Sequence, residues 1–417
     1  MTYDAIIIGG GAAGMFAAIT AAQQGKRVLL IEKNEKLGKK LLITGKGRCN
    51  VTNNCPVEEV LANIPKNSKF LYSAMNAFPP SRVMDFFESN GCALKTERGN
   101  RVFPVSDKSS SVLACLTDAL KNTGVTTQKG RACALIIQDG HVTGVKTNAG
   151  NFFANRVILA TGGASYPATG STGDGYAMAR SVGHTIIPPV GSLVPLNSDE
   201  YCIRMQGLSL KNVGVRLVNN NGKVLFKDFG ELLFTHFGVS GPTVLSASAH
   251  LRSDNCKLLL DLKPALDEGK LNSRLLRDLN QYANRTMENA LTDLLPRSMI
   301  PVVLDMLSID PQLQANSLRK DQRRDLVNLL KNYPVPILGK RPVNEAIITS
   351  GGIKVSEINP RTMESKLVTG LFFSGEILDC DAYTGGFNLQ IAWATAYVAA
   401  TSEKTPLTNS PLCNTIC

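Results

Sequence analysis

Residues 4–8 (Asp-Ala-Ile-Ile-Ile) form an apolar, β-branched run close to the start of the chain. A run with no polar face predicts a strand buried on both sides, as in a parallel sheet. The turn Gly9-Gly10-Gly11-Ala12-Ala13-Gly14 follows. Met15–Gln24, rich in Ala and free of Pro, then predicts a helix that Gly25 stops. Val28–Ile31 repeats the buried-strand pattern and ends in Glu32. Strand, helix and strand in about 30 residues make one βαβ unit.

Beyond it, residues 34–54 are rich in Gly and Lys and predict a loop, and residues 57–125 alternate helical patterns with short turns. Strands are predicted over 132–146 and 151–159, with a hairpin turn at Asp139-Gly140. Val157–Ala160 runs into Thr161-Gly162-Gly163, and a helix is predicted near Tyr176–Val182. The pattern changes at Pro188-Pro189. Residues 191–262 read as strands, with a hairpin turn at Asn219–Gly222. Residues 266–331 read as helices, with Leu271, Leu275 and Leu279 on one face and Leu291, Leu294 and Leu295 on another. Tyr333–Pro342 carries three prolines and reads as a linker. Residues 343–400 return to a Gly-rich α/β style, and 401–417 read as a frayed tail. The simplest fold class is therefore α/β, one discontinuous Rossmann-like domain with an insertion.

Composition adds limits. A chain of 417 residues exceeds one compact core. No run of 18 apolar residues occurs, so no membrane span is expected. The apolar start is too short and too acidic for a signal peptide, which points to the cytoplasm. The ten cysteines are scattered, with no CxxC pair and no zinc spacing, so no metal site is expected and most read as reduced core residues. The net charge of +11 favours an anionic partner: a dinucleotide, an acidic small molecule or a nucleic acid.

The glycines bring in chemistry. Gly9 permits a tight strand-to-helix turn, Gly11 lets the backbone approach a pyrophosphate, and Gly14 allows close helix–strand packing. The free N–H groups and dipole of the helix N-terminus favour that anion. Glu32, 18 residues after Gly14, is placed to accept from ribose hydroxyls. NAD and FAD satisfy this unit equally. Two further strand–turn units favour FAD: Val157–Gly163, and Leu371–Ser374 running into Gly375-Glu376 and then Thr384-Gly385-Gly386-Phe387-Asn388 before an Ala-rich helix. A Gly-Gly turn opening a helix offers charge stabilisation to a reduced isoalloxazine.

Four segments carry a resemblance. They are Gly38-Lys-Lys-Leu-Leu-Ile-Thr-Gly-Lys-Gly-Arg-Cys-Asn-Val-Thr-Asn53, Leu233-Phe-Thr-His-Phe-Gly-Val-Ser-Gly-Pro242, Thr349-Ser-Gly-Gly-Ile353, and Gly375-Glu-Ile-Leu-Asp379 with Thr384-Gly-Gly-Phe-Asn-Leu-Gln390. Together they resemble the BaiN/RdsA family of FAD-dependent oxidoreductases, over residues 1 to about 400. The resemblance implies a two-part FAD domain (1–190 and 346–405), an inserted β-rich substrate domain (191–265 and 333–345), a helical subdomain (266–332) and a flexible tail (406–417). It implies FAD contacts through Gly11, Ala12, Ala13, Glu32 and Lys33. Further contacts fall on Lys40, Thr44, Gly45, Gly47, Arg48, Cys49 and Asn50, on Thr161 and Gly162, and on Gly375, Glu376, Asp379, Gly385, Gly386, Phe387 and Asn388.

The family's members imply three chemistries: reduction of a conjugated C=C bond in an oxidised bile-acid intermediate, reduction of uridine C5=C6 in large-subunit ribosomal RNA, and oxidation of small amino-ketones. The first two are one reaction, hydride to a carbonyl-activated alkene, which is the favoured reading. A non-catalytic FAD-binding sensor is the reading from another class. The proton-donor candidates are His236, Tyr383 and Cys380. A structural role fits His236 equally well. A core role is the plainer reading of Cys380, because nothing in the sequence lowers its pKa. Asp379 and Asp381 suit capping of the nearby turn, and Arg48 and Lys46 suit holding phosphate or loop. Lys33, Lys36, Lys39 and Lys40, the run Arg319-Lys-Asp-Gln-Arg-Arg324, and Lys340-Arg341 offer phosphate contacts to ribosomal RNA, although a solvated helix face explains them as well. Only one complete G-x-G-x-x-G occurs, so electrons arrive either from NADH or NADPH bound transiently in the substrate cleft or from another protein.

Overall fold

The computed structural model describes residues 2–251 and 256–403. Cys413, Cys417 and the tail expected over 406–417 lie outside the described residues. The chain forms two compact units, one from residues 1–190 and 349 onward, the other from 191–348.

The first unit is built on a five-stranded parallel sheet. Strand β1 (Ala5–Ile8) is followed by α1 (Ala12–Gln23) and β2 (Val28–Glu32). Two later strands join them, β3 (Thr126–Lys129) and β4 (Val157–Leu159). The fifth strand, Leu371–Phe373, arrives from the far end of the chain, and the order is Leu371–Phe373, β4, β1, β2, β3. β1, β2, β4 and Leu371–Phe373 are buried along their length apart from Glu32, as their continuous apolar runs require. β3 is different. It reads Thr-Thr-Gln-Lys, is mostly exposed and forms one edge, so it carries no apolar signature.

Residues 151–159 do not form one strand. Gly150–Phe153 pairs antiparallel with His141–Thr147, whereas β4 belongs to the parallel sheet. Asp139 and Gly140 both take positive φ, 50° and 75°, which matches the twist of a two-residue hairpin. Helix α1 and the C-terminal helix Phe387–Thr401 are apolar on nearly all sides and buried. They meet through Phe16 and Trp393, whose rings lie edge-to-face at 5.5 Å.

The second unit contains a seven-stranded sheet. Its four strands at one side are, in chain order, β5 (Ser209–Asn219), β6 (Val224–Thr235), β7 (Cys256–Asp261) and β8 (Tyr333–Pro336). The order across the sheet is β8, β7, β5, β6, then Gly238–Ser240, Leu196–Asn197 and Gly339–Lys340. The expected linker Tyr333–Pro342 is thus corrected: it supplies both edges of the sheet. Prolines are tolerated there because an edge strand leaves one row of backbone groups unpaired. Leu271, Leu275 and Leu279 do share a buried helical face, on Glu268–Gln281. Leu294 and Leu295 are buried too, but in turns after the short helix Met287–Ala290, so Leu291, Leu294 and Leu295 form no helical face. The helices and strands of this unit share one apolar core, from Leu217 and Leu258 to Leu275 and Leu330. Among the described residues no helix is long and apolar enough to cross a membrane.

Candidate cofactor and active site

The C-terminal edge of the parallel sheet gathers the glycine turns, because each follows a strand of that sheet. At the first turn Gly9 has φ 107°, and a Cβ there would lie 2.5 Å from Ala160 O in the loop after β4. A Cβ on Gly14 would strike the Gly9 carbonyl. At Gly11 an added Cβ would meet nothing within 4 Å, so this glycine faces open space. No side chain caps α1, which leaves its first-turn N–H groups for another acceptor. The Glu32 carboxylate braces the turn. Its Oε2 accepts from Gly10 N at 2.6 Å, and its Oε1 accepts from Asn34 N and Nδ2, each at 2.7 Å.

Four distant segments converge beside this turn. Lys40 Nζ donates to Ser165 Oγ at 2.7 Å and to Glu376 Oε2 at 2.6 Å. Glu376 Oε1 accepts from Ser165 Oγ and from Thr349 N, both at 2.9 Å. Thr349 Oγ1 accepts from the N–H groups of Ala164 and Ser165 at 2.8 and 3.0 Å. Gly163 is confined by Thr349 and Glu376, so a side chain there would break this knot. Gly375, at φ 76°, would place a Cβ 2.8 Å from that of Ala13, which ties the Gly375-Glu376 turn to the first turn of α1.

Residues 34–54 are not all loop: Lys39–Ile43 forms a short helix, and the strained turn after it is held by ions. Gly45, Lys46, Gly47 and Cys49 all have positive φ, of 56°, 57°, 83° and 61°. Positive φ at Lys46 and Cys49 costs energy that surrounding contacts offset. Thr44 Oγ1 donates to Leu41 O at 2.6 Å. Arg48 forks onto Glu97 and Asp107 and lies 4.1 Å from the Phe103 ring centre. Farther along, Thr52 Oγ1 donates to Gln390 Oε1 at 2.6 Å, and Asn53 Nδ2 donates to Gly385 O at 3.0 Å. Gly386, at φ 98°, abuts the Thr52 backbone, so any Cβ would collide with it. The loop therefore lies against the N-terminus of the C-terminal helix, and this helix also has no side-chain cap.

Not every expected contact points into the crevice. Lys33 turns to Thr172 Oγ1 at 2.5 Å and Asp174 at 2.9 Å. Arg48 clasps its loop through two carboxylates. Asp379 is buried and paired with Lys66 at 2.6 Å, while its Oδ2 accepts from Asn67 at 3.2 Å. Asn388 spends its amide on Ala382 N and O, at 2.9 and 2.8 Å. Phe387 is buried in the core. Cys49 is fully buried, and burial pushes its thiol up to about 12. Cys380 is 1% exposed; burial first, then the Asp379 and Asp381 carboxylates, hold its thiol well above the ordinary range. It packs in the core of the first unit. Tyr383 is half-buried in the loop before Gly385, with its N–H on Asn63 O. His236 belongs to the second unit, exposed at the β6 to Gly238–Ser240 turn and edge-to-face with Phe237. Ser165 and Thr349 were missed by sequence reasoning. Thr349 opens a recognisable Gly-Gly segment, whereas nothing in the sequence marks Ser165.

These residues fit a flavin dinucleotide. Open space at Gly11 and two uncapped helix N-termini are what an anionic cofactor satisfies. Gly9–Gly14 and Thr161-Gly162 would hold its ADP half, and the Lys40–Asn50 loop and Gly385–Asn388 its ring.

Fold and site together define an FAD-dependent oxidoreductase. More particularly, the chain belongs to the BaiN/RdsA flavoproteins: the family described as HI0933-like protein Rossmann domain matches residues 3–402. It is 32% identical over 401 residues to 3-dehydro-bile acid delta(4,6)-reductase of Clostridium scindens, covering 94% of this chain and 97% of that one. It is 31% identical over 399 residues to ribosomal RNA dihydrouridine synthase of Escherichia coli, covering 95% and 97%. A solved structure of 3-ketosteroid delta1-dehydrogenase from Sterolibacterium denitrificans matches with a TM-score of 0.52 at 16% identity, over 96% of this chain and 98% of that one. That last likeness is one of fold alone.

Proposed function

We propose that this flavoenzyme reduces a C=C bond activated by a neighbouring carbonyl, and that its substrate is a small enone such as an oxidised bile-acid intermediate. The observation that carries the reading is the uncapped N-terminus of the C-terminal helix, closed over by the Thr52-Asn53 strand through Gly385 and Gly386. Such a helix end favours negative charge on whatever lies against it. Bound flavin, once reduced, supplies hydride from N5. The Lys40–Glu376–Ser165–Thr349 knot holds the crevice in shape. Tyr383, beside the Gly385-Gly386 turn, is the proton donor we assign in the first unit, and His236 is the alternative from the second.

The relative from Clostridium scindens is named for reduction of a delta(4,6) bile acid, which supports the enone reading. A second reading is reduction of uridine C5=C6 in large-subunit ribosomal RNA, supported by the relative named a ribosomal RNA dihydrouridine synthase and by a surface of the second unit described below. NADH or NADPH is the reductant proposed for either. The eight cysteines among the described residues are all free, which supports a cytoplasmic setting.

Anaerobic stopped-flow tests this reading. Photoreduced enzyme is mixed with steroid enones, with undermodified ribosomal RNA and with buffer containing oxygen. Reoxidation by an alkene faster than by oxygen supports it, and failure of every alkene overturns it. Peroxide release with an aminoketone would make the protein an oxidase instead. A yellow protein that no reductant bleaches would make it a sensor.

A further inference from the structure

Several of the basic groups singled out in the sequence are paired with carboxylates in the structure. Arg319 and Arg324 pair with Asp321 and Asp325, Arg341 with Glu345, and Lys33 and Lys40 with Asp174 and Glu376. In the helical run 319–324, Arg323 Nε also donates to Asn272 Oδ1 at 3.1 Å. One surface differs: the side of the β8–β7–β5–β6 sheet that faces away from the core of the second unit.

The register places its residues. Arg216 of β5 stands directly opposite Lys227 of β6 and Leu259 of β7, and Leu259 stands opposite Pro334 of β8. Directly opposed residues share a face, as do residues two apart. Gly214 and Phe229 therefore join this face at one end, and Lys257 joins it at the other. The alternate residues Val215, Leu217, Leu258, Leu260 and Val335 fill the core on the opposite side.

Three features of this face share one explanation. Phe229 is 57% exposed, and the residue across from it is Gly214, so no side chain shields the ring from that strand. Lys227 and Lys257 are exposed and make no ion pair among the described residues; Arg216 makes only a hydrogen bond to Asn332. Arg216 directly across from Lys227 is a like-charge cross-strand pair, which disfavours the empty sheet. The carboxylates on this side are Asp261, paired with Lys331, and Glu231, held by Ser209 at the far end. Leu259 and Pro334 make a low apolar floor between the charges. An exposed ring, a low floor and unpaired cations are the chemistry that takes stacked bases and their phosphates.

We propose that this outer sheet face binds a single-stranded nucleic acid segment, with a base stacked on Phe229 and phosphates on Arg216, Lys227 and Lys257. The proposal rests on the uridine reading of the substrate. It makes the second unit a docking module that holds an RNA strand while one nucleotide of it is reduced elsewhere on the enzyme.

The test uses the flavin-loaded full chain and a fluorescein-labelled uridine-rich single-stranded RNA, read by anisotropy. Binding should weaken with salt, with a log–log slope of about −2 for three phosphate contacts. Phe229→Ala should weaken it at least about fivefold. The Lys227→Gln, Lys257→Gln double variant should flatten the salt slope while leaving flavin content and thermal midpoint unchanged. Wild-type affinity in both variants overturns the proposal, as does absence of binding at about 50 mM salt. Polyglutamate competing as well as RNA overturns it too, in favour of an acidic protein partner. Uridine reduction is scored separately on undermodified ribosomal RNA. RNA bound at this face without reduction keeps the platform and removes the substrate reading; reduction that survives in both variants keeps the substrate reading and removes the platform.

Discussion

Lys40 Nζ lies 2.6 Å from Glu376 Oε2, joining residues 336 apart in the chain. Both side chains are mostly buried, 22% and 16% exposed. A partly buried pair gains more from its partner than a surface pair does, but pays desolvation, so removing one member leaves an uncompensated charge. Lys40→Ala or Glu376→Leu alone should each destabilise the protein by about 1–3 kcal/mol, and Lys40→Met with Glu376→Leu should cost less than the sum. Denaturant unfolding of the two single variants and the double variant measures this. A coupling near zero would mean that the pair does not hold the crevice.

The glycines of the first turn should separate folding from cofactor binding. Gly14→Ala drives a Cβ into the Gly9 carbonyl, so the soluble yield should collapse. A Cβ added at Gly11 meets open space, so Gly11→Val should fold with a native circular dichroism spectrum and purify colourless. Full flavin absorbance in the Gly11→Val protein would contradict placement of the pyrophosphate at α1.

Proton donation should follow exposure rather than nominal acidity. Cys380→Ala should leave the rate of alkene-driven flavin reoxidation within about twofold, because the buried thiol reaches no substrate. Tyr383→Phe should slow it by about 10²-fold or more with flavin content unchanged. If Tyr383→Phe is silent and His236→Gln is slow, the donor comes from the second unit.

His184 should mark the acid limb of stability. Its ring is buried, with Nε2 2.8 Å from Ser365 Oγ and Nδ1 3.2 Å from Glu357 Oε2. Burial holds the imidazole below its ordinary 6.5, and Glu357 opposes that only in part. A depressed folded value means that the neutral ring is the stable form. Its contribution is full above 6.5 and is lost as pH falls through the folded value, because the unfolded chain takes up the proton first. His184→Gln should therefore lose less stability than the wild type between about pH 7 and about pH 5. Parallel denaturant midpoints across that range would rule this out.

Local pattern alone carried the β1–α1–β2 unit, because a buried parallel strand, an Ala-rich helix and a Gly turn are written in adjacent residues. The same holds for the Asp139-Gly140 turn and for the glycine segments near 161 and 385. Polar β3 has no signature in the sequence because an exposed edge strand needs no apolar residues, and the β8 prolines read as a linker because their tolerance depends on lying at an edge. Lysines and arginines were the least legible. Lys33, Lys40, Arg48 and Arg319 look alike in sequence, yet each has its own carboxylate partner in the structure, while Lys227 and Lys257 have none among the described residues.

The sequence by itself determined where a dinucleotide turn forms: Gly9 takes a positive φ that favours glycine, and a side chain at Gly14 would strike the Gly9 carbonyl of the same turn. Only the tertiary structure decided which charges remain available for chemistry or binding, because a charge is cancelled by whatever side chain the fold brings within a few ångströms. For Lys40 that neighbour, Glu376, comes from nearly the other end of the chain.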